Sequence, residues 1–123
     1  MKTLLLILLL TTTHSEEVYY TDYISHKRLL SNNEWTDWSD WEYCHHKVTI
    51  TEDSITINKG TEAEIYMIKT EYEVQKDSNS ETFKFKVIDD YERVLYIRLR
   101  FQYNGVAQLY IDYDDVVYAY NLI

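Results

Sequence analysis

Proline is absent from this chain, and glycine occurs only twice, at Gly60 and Gly105. That excludes a collagen-like or proline-rich extended chain, and it leaves no material for a glycine-rich phosphate loop. Cysteine occurs once, at Cys44, so no intramolecular disulfide is available. Without covalent staples the domain has to stand on its hydrophobic core. Bases are scarce as well: 12 Lys and Arg face 21 Asp and Glu, a formal charge of −9. A field of that sign repels phosphate backbones and anionic lipid, so nucleic acid and membrane surfaces are not expected partners. No apolar run reaches the length a membrane-spanning helix needs.

The longest such run, Leu4–Leu10, follows Lys2 and precedes the small residues Thr13 and Ser15. That is the build of a secretory signal peptide, with cleavage expected after Ser15. The expected organisation is a signal peptide at 1–15 and a single domain at 16–123, secreted or periplasmic. Removing 1–15 deletes Lys2 and no acid, which takes the formal charge from −9 to −10.

What the chain does have is strand chemistry. Thirteen tyrosines accompany many Val, Ile and Thr residues, and period-two alternation recurs after residue 47. In "RVLYIRLRFQY", Leu95, Ile97, Leu99, Phe101 and Tyr103 face one way, and Tyr96, Arg98, Arg100 and Gln102 face the other. "TFKFKVI" alternates likewise. "AEIYMIKTEYEVQ" reads as one long strand whose apolar set changes side near Met67 to Thr70, which predicts a bulge. Asn104-Gly105 suits a two-residue type I′ turn. "SHKRLLSNNE" is read as a polar connection with room for a helical turn. About eight strands joined by short turns predict an all-β fold, a small antiparallel up-and-down β-barrel. The alternative is a two-layer β-sandwich.

The phrase "WTDWSDWEYC" is the most conspicuous. Trp35, Trp38, Trp41 and Cys44 recur at intervals of three, a spelling that resembles the thrombospondin type 1 repeat. That family implies arginines layered between the indoles, for which Arg98 and Arg100 are the candidates. It also implies several disulfides and little core, and this chain departs from it on both counts, so the assignment is rejected. A broader resemblance runs through the tryptophan phrase, "KVTITEDSITI", the long tyrosine-bearing strand and "RLRFQYNGVAQLYIDYDDVVYAYNL". It is similar to small exported β proteins of Bacteroidetes-group bacteria, lipocalin-like in outline. That resemblance implies a barrel and an exported location, and it carries over no catalytic residue.

In a regular strand a spacing of three puts neighbouring tryptophans on opposite faces. Trp35 and Trp41 are therefore expected on one side and Trp38 on the other. One or two should plug the core or cap the barrel end, leaving the rest on a rim, where an indole among Asp37, Asp40 and Glu42 offers a ligand platform.

Other chemistry is thin. His45 and His46 are adjacent and should point apart, a poor chelate, and His26 is distant in sequence. Asp89, Asp90, Asp112, Asp114 and Asp115 read as solvated turn acids, without a calcium loop. Cys44 reads as a half-buried small hydrophobe, free in principle to pair with another chain. Adjacency to His45 does not make it a nucleophile, because neighbouring strand residues face apart. No catalytic motif is present, and neither metal nor cofactor is expected. The reading is a monomeric, non-enzymatic binding module. Its ligand is a small apolar molecule or a glycan, held in a barrel mouth by Trp35, Trp38, Trp41, Tyr66, Tyr96 and Tyr110. The alternative is a protein-interaction or inhibitor module whose acidic surface steers a basic partner.

Overall fold

Alternation of apolar and polar residues turns into a wall with two faces. In the computed structural model, which describes residues 16–123 and gives 71–73 by backbone alone, every regular element is a strand. The signal-peptide assignment lies outside the described residues. The strands are β1 (Glu17–Arg28), β2 (Glu42–Tyr43), β3 (Lys47–Ile50), β4 (Ser54–Asn58), β5 (Ala63–Lys76), β6 (Ser80–Ile88), β7 (Val94–Gln102), β8 (Ala107–Asp112) and β9 (Val116–Leu122).

From β3 onward each strand pairs antiparallel with the next, and β1 joins the two ends. Residues 17–20 of β1 pair with β3, and residues 21–28 pair with β9. The result is a closed eight-stranded meander barrel with the short β2 outside the ring. Closure is what excludes the sandwich, and it leaves no bare edge in the ring.

The inner faces fill the barrel. Leu95, Ile97, Leu99 and Phe101 of β7 pack with Phe83, Phe85 and Val87 of β6 and Leu109 and Ile111 of β8. Val48, Ile50, Ile55 and Ile57 complete the opposite side. The register shifts in β5 fall between Ile68 and Thr70 and between Thr70 and Glu73, where the change of apolar side predicts a bulge. Tyr66 and Ile68 face the core, while Ile65 and Met67 are exposed.

Two local expectations are corrected. The stretch 25–34 holds no helical turn: β1 runs on to Arg28, and a hairpin loop follows, closed by Leu30 N to Glu34 O at 2.7 Å. Asn104-Gly105 does not make a type I′ turn, because Gly105 has φ 95° and Asn104 is not left-handed. Gln102 N bonds Val106 O at 2.8 Å across a three-residue loop. Asn104 instead accepts the Val106 amide on Oδ1 at 3.0 Å. A side chain that caps its own turn has no need of positive φ.

Turn acids behave in the same way. Asp89 Oδ1 accepts the amides of Tyr91 and Arg93, each at 2.9 Å, and Asp77 Oδ1 accepts those of Asn79 and Ser80 at 2.7 and 2.8 Å.

Candidate functional site

Three hairpin turns and the middle of β1 converge on one end of the barrel. A cavity of about 280 Å³ opens there, lined by Ile24, Lys59, Glu64, Tyr66, Arg93, Tyr113, Tyr118 and Tyr120 among others. Each tyrosine stands on an inward-facing position. Tyr120 pairs with Leu109, and Tyr118 pairs with Ile111, so both continue the core toward the opening. Tyr66 lies across from them on β5.

The floor is a hydroxyl network rather than an apolar plug. Tyr66 donates to Glu64 Oε1 at 3.4 Å, and the Tyr66 and Tyr113 hydroxyls lie 3.4 Å apart. Both contacts are long and therefore weak. Tyr113 and Tyr118 meet edge to face at 6.4 Å. Burial pushes the Tyr66 phenol far above its ordinary range, and the Tyr113 contact adds to that. Burial also raises Tyr120, with Glu64 contributing, and raises Tyr113. All three stay neutral at physiological pH, so they offer hydroxyl donors and acceptors and no charge.

Charge sits at the rim in opposed pairs. Lys59 Nζ bonds Glu64 Oε2 at 3.1 Å. Arg93 Nε bonds Asp89 Oδ2 at 2.9 Å, and its guanidinium lies 4.8 Å from the Tyr113 ring centre. Asp115 lines the same opening. Nearby, burial and then Lys59 lower the pKa of His46, whose buried Nδ1 has no hydrogen-bond partner among the described residues. Cys44 packs against the core, with Sγ 3.3 Å from Thr21 Oγ1, while His45 stacks on Tyr20 at 5.4 Å. Cysteine and histidine thus face apart, as adjacency in an extended chain requires.

Of the six sequence-predicted ligand residues, only Tyr66 reaches this mouth. Tyr96 and Tyr110 stand on the outer wall of β7 and β8. There Lys84 Nζ lies 4.5 Å from the Tyr96 ring centre and the Arg98 guanidinium 4.3 Å from that of Tyr110. Arg98 also forms a two-pronged ion pair with Asp112 at 2.6 and 2.8 Å.

None of the tryptophans is in the core or in the mouth. Trp35, Trp38 and Trp41 are 41, 43 and 52 % exposed. They also fail to alternate. Lys27 Nζ sits 5.5 Å from the Trp35 ring centre and 5.0 Å from that of Trp38, so both indoles reach the same outer side of β1. Residues 35–46 form an arm that runs back along β1 without regular register. Leu29 opposes Trp35, Ile24 opposes Glu42, and Tyr20 opposes Lys47. Each slip rotates the side chains, and a spacing of three then returns to one face. Hydrogen bonds pin the arm: Ser25 Oγ donates to Ser39 O at 2.6 Å, and Ser39 N donates to His26 O at 2.8 Å. Trp38 reaches Tyr110 across β9, with ring centres 6.3 Å apart. Ala119, the register partner of both Ser25 and Tyr110, leaves room for it.

The mouth residues that sequence reasoning missed include Lys59, Glu64, Arg93, Tyr113, Tyr118 and Tyr120. Tyr113 shared a readable face with Ile111, but no pattern along the chain ranks inward positions by depth. Among the described residues no group of three or more His, Cys, Asp or Glu is placed to hold a metal. No described helix is long and apolar enough to cross a membrane. Comparison with family models, curated proteins and solved structures found no match.

Proposed function

We propose that this chain is an exported, non-enzymatic binding module that holds a small polar ligand in the barrel mouth. The observation that carries the reading is the cavity of about 280 Å³ ringed by Tyr66, Tyr113, Tyr118 and Tyr120, opening above a packed apolar core. Ligand pockets run from roughly 300 Å³ upward, so this one suits a molecule of monosaccharide size. A long acyl chain has no room among the packed core residues. Neutral phenols and paired rim charges favour the sugar-like half of the apolar-or-glycan class. Export is supported by the build of residues 1–15.

The test is titration of the purified protein with a monosaccharide panel, read by calorimetry and repeated with Tyr66→Phe and Tyr113→Phe. Each hydroxyl contact is worth roughly 0.5–1.5 kcal/mol net, so a true ligand should bind each variant about 2- to 12-fold more weakly. If no member binds, or the variants bind as well as the parent, the mouth is not the site. A protein-interaction reading rests on the net charge of −9. It predicts partner capture that weakens steeply with salt.

A further inference from the structure

Basic side chains cover aromatic faces over much of this surface. Lys27 lies against Trp35 and Trp38, Lys84 against Tyr96, Arg98 against Tyr110, and Arg93 against Tyr91 and Tyr113. The negative face of each ring attracts the charge. One aromatic pair is arranged differently. Tyr23 and Trp41 face an open groove of about 350 Å³, completed by Asn121, and its lining includes no basic side chain. Tyr43 meets Tyr23 edge to face at 6.1 Å and supplies a third ring at the margin.

The polar side of the groove is built by a bulge. The register of β1 against β9 shifts between Thr21 and Tyr23, where Thr21 opposes Leu122 and Tyr23 opposes Asn121. Asp22 is the extra residue; it keeps the outward parity of Val18 and Tyr20, and the bulge brings Tyr23 out beside it. There its Oδ1 accepts Asn121 Nδ2 at 2.8 Å. That bond fixes the carboxylate beside Asn121, the polar residue of the groove lining. Asp40 and Glu42 flank Trp41 in the chain.

We propose that this groove binds a small organic ammonium ion, a quaternary or methylated amine, with its methyl groups on Trp41 and Tyr23 and its charge facing Asp22. Three features select that class. Aromatic faces beside a carboxylate attract cations and repel anions. The acidic chain as a whole adds to the same field. A methylated amine sheds water far more readily than a compact, strongly hydrated ammonium, so it gains from an apolar wall. The site is separate from the barrel mouth and does not depend on the reading given for it.

The experiment follows the indole N–H resonances of the purified protein in nitrogen-resolved NMR spectra. One arm titrates choline, a second titrates 3,3-dimethyl-1-butanol, which has the same shape without the charge, and a third titrates glucose. Choline should move the Trp41 resonance and leave Trp35 and Trp38 in place, because Lys27 already covers their faces. The alcohol and the sugar should move none. Trp41→Leu identifies the resonance, and it should also abolish the choline shift of the Asn121 side-chain amide, which the same spectra record. Asp22→Asn keeps the bond from Asn121 and should weaken binding about tenfold, as expected for loss of a charge-assisted contact. Trp41 is half exposed, so both variants should fold, which thermal unfolding checks. Equal response to choline and the alcohol overturns the proposal, as does a Trp41 shift with glucose and none with choline. So does a choline response that survives Trp41→Leu.

Discussion

Two parts of the barrel wall use aromatic residues in opposite ways. The β6–β8 side runs in register from Ser80 to Gln102 without a break. There Phe83, Phe85, Phe101 and the aliphatic side chains of the same parity point inward, while Lys84, Arg98 and Arg100 point out, with Tyr96 and Tyr110 lying under Lys84 and Arg98. The β1 side carries a bulge at Asp22 and an irregular partner arm, and its three tryptophans all lie outside. Regular pairing fixes every side chain to the face its parity dictates. Where pairing slips, a side chain is free to serve the surface instead. The regular side supplies stability, and the irregular side supplies exposed rings held in place by hydrogen bonds.

The sharpest way to break that contrast is to remove one residue from each side. Leu99 is fully buried between Phe83 and Leu109. Leu99→Ala should cost about 3 kcal/mol, within the range for buried leucines. Lys27→Ala frees Trp35 and Trp38 but opens no core cavity, and it should cost no more than about 1 kcal/mol. Chemical denaturation measures both. If Lys27→Ala costs as much as Leu99→Ala, the arm is part of the core in energetic terms, and the distinction fails.

A middle-sized effect tests the turn between β6 and β7, through which the regular side supplies Arg93 to the mouth. Burial raises the Asp89 pKa, but the amides of Arg93 and Tyr91 and the Arg93 guanidinium outweigh it, so the carboxyl stays below its usual range. A carboxylate depressed in the folded state stabilises the fold at any pH above its unfolded value, near 3.8. That contribution is lost as pH falls through the folded value. Asp89→Asn should cost about 1–3 kcal/mol at pH 7, the loss of a charged acceptor for the Tyr91 and Arg93 amides and the Arg93 guanidinium. The gap between parent and variant should narrow below about pH 4. A gap that stays constant with pH would remove the ionised carboxylate from the explanation.

The same contrast explains which features were legible. The inward set of β7 follows from alternation alone, and so does the bulge in β5, because a regular strand transmits its pattern faithfully. Tyr66 and Ile68 read as one face of β5, and both face the core. The tryptophans were misplaced because the face of Trp38 depends on where the arm slips against β1. No residue in "WTDWSDWEYC" encodes that slip by itself. The mouth was incomplete for another reason. It joins Lys59, Arg93 and Tyr113 from three turns far apart in sequence, and only closure of the ring brings them to one end. Hydropathy separates inside from outside, but it carries no coordinate along the barrel axis.

The smallest effect probes the regular side where it bends. Three loops share one form, with a left-handed residue in the last position before the residue whose carbonyl closes the loop: Asn33, Glu92 and Gly105 have φ of 65°, 63° and 95°. Glycine adopts that conformation freely and asparagine tolerates it, but glutamate pays about 1 kcal/mol in backbone strain. Glu92 N nevertheless donates to Asp89 O at 3.1 Å, so the tight turn is held despite its residue. Glu92→Gly relieves the strain and loses some of that gain to the extra freedom of glycine in the unfolded chain. The net should be a stabilisation of about 0.5 kcal/mol, or roughly 2–4 °C in Tm. Asp90→Gly, one loop position where φ is not left-handed, should lower Tm instead. Opposite signs at two residues of one loop would show that strain at Glu92, and not loop flexibility in general, sets the effect.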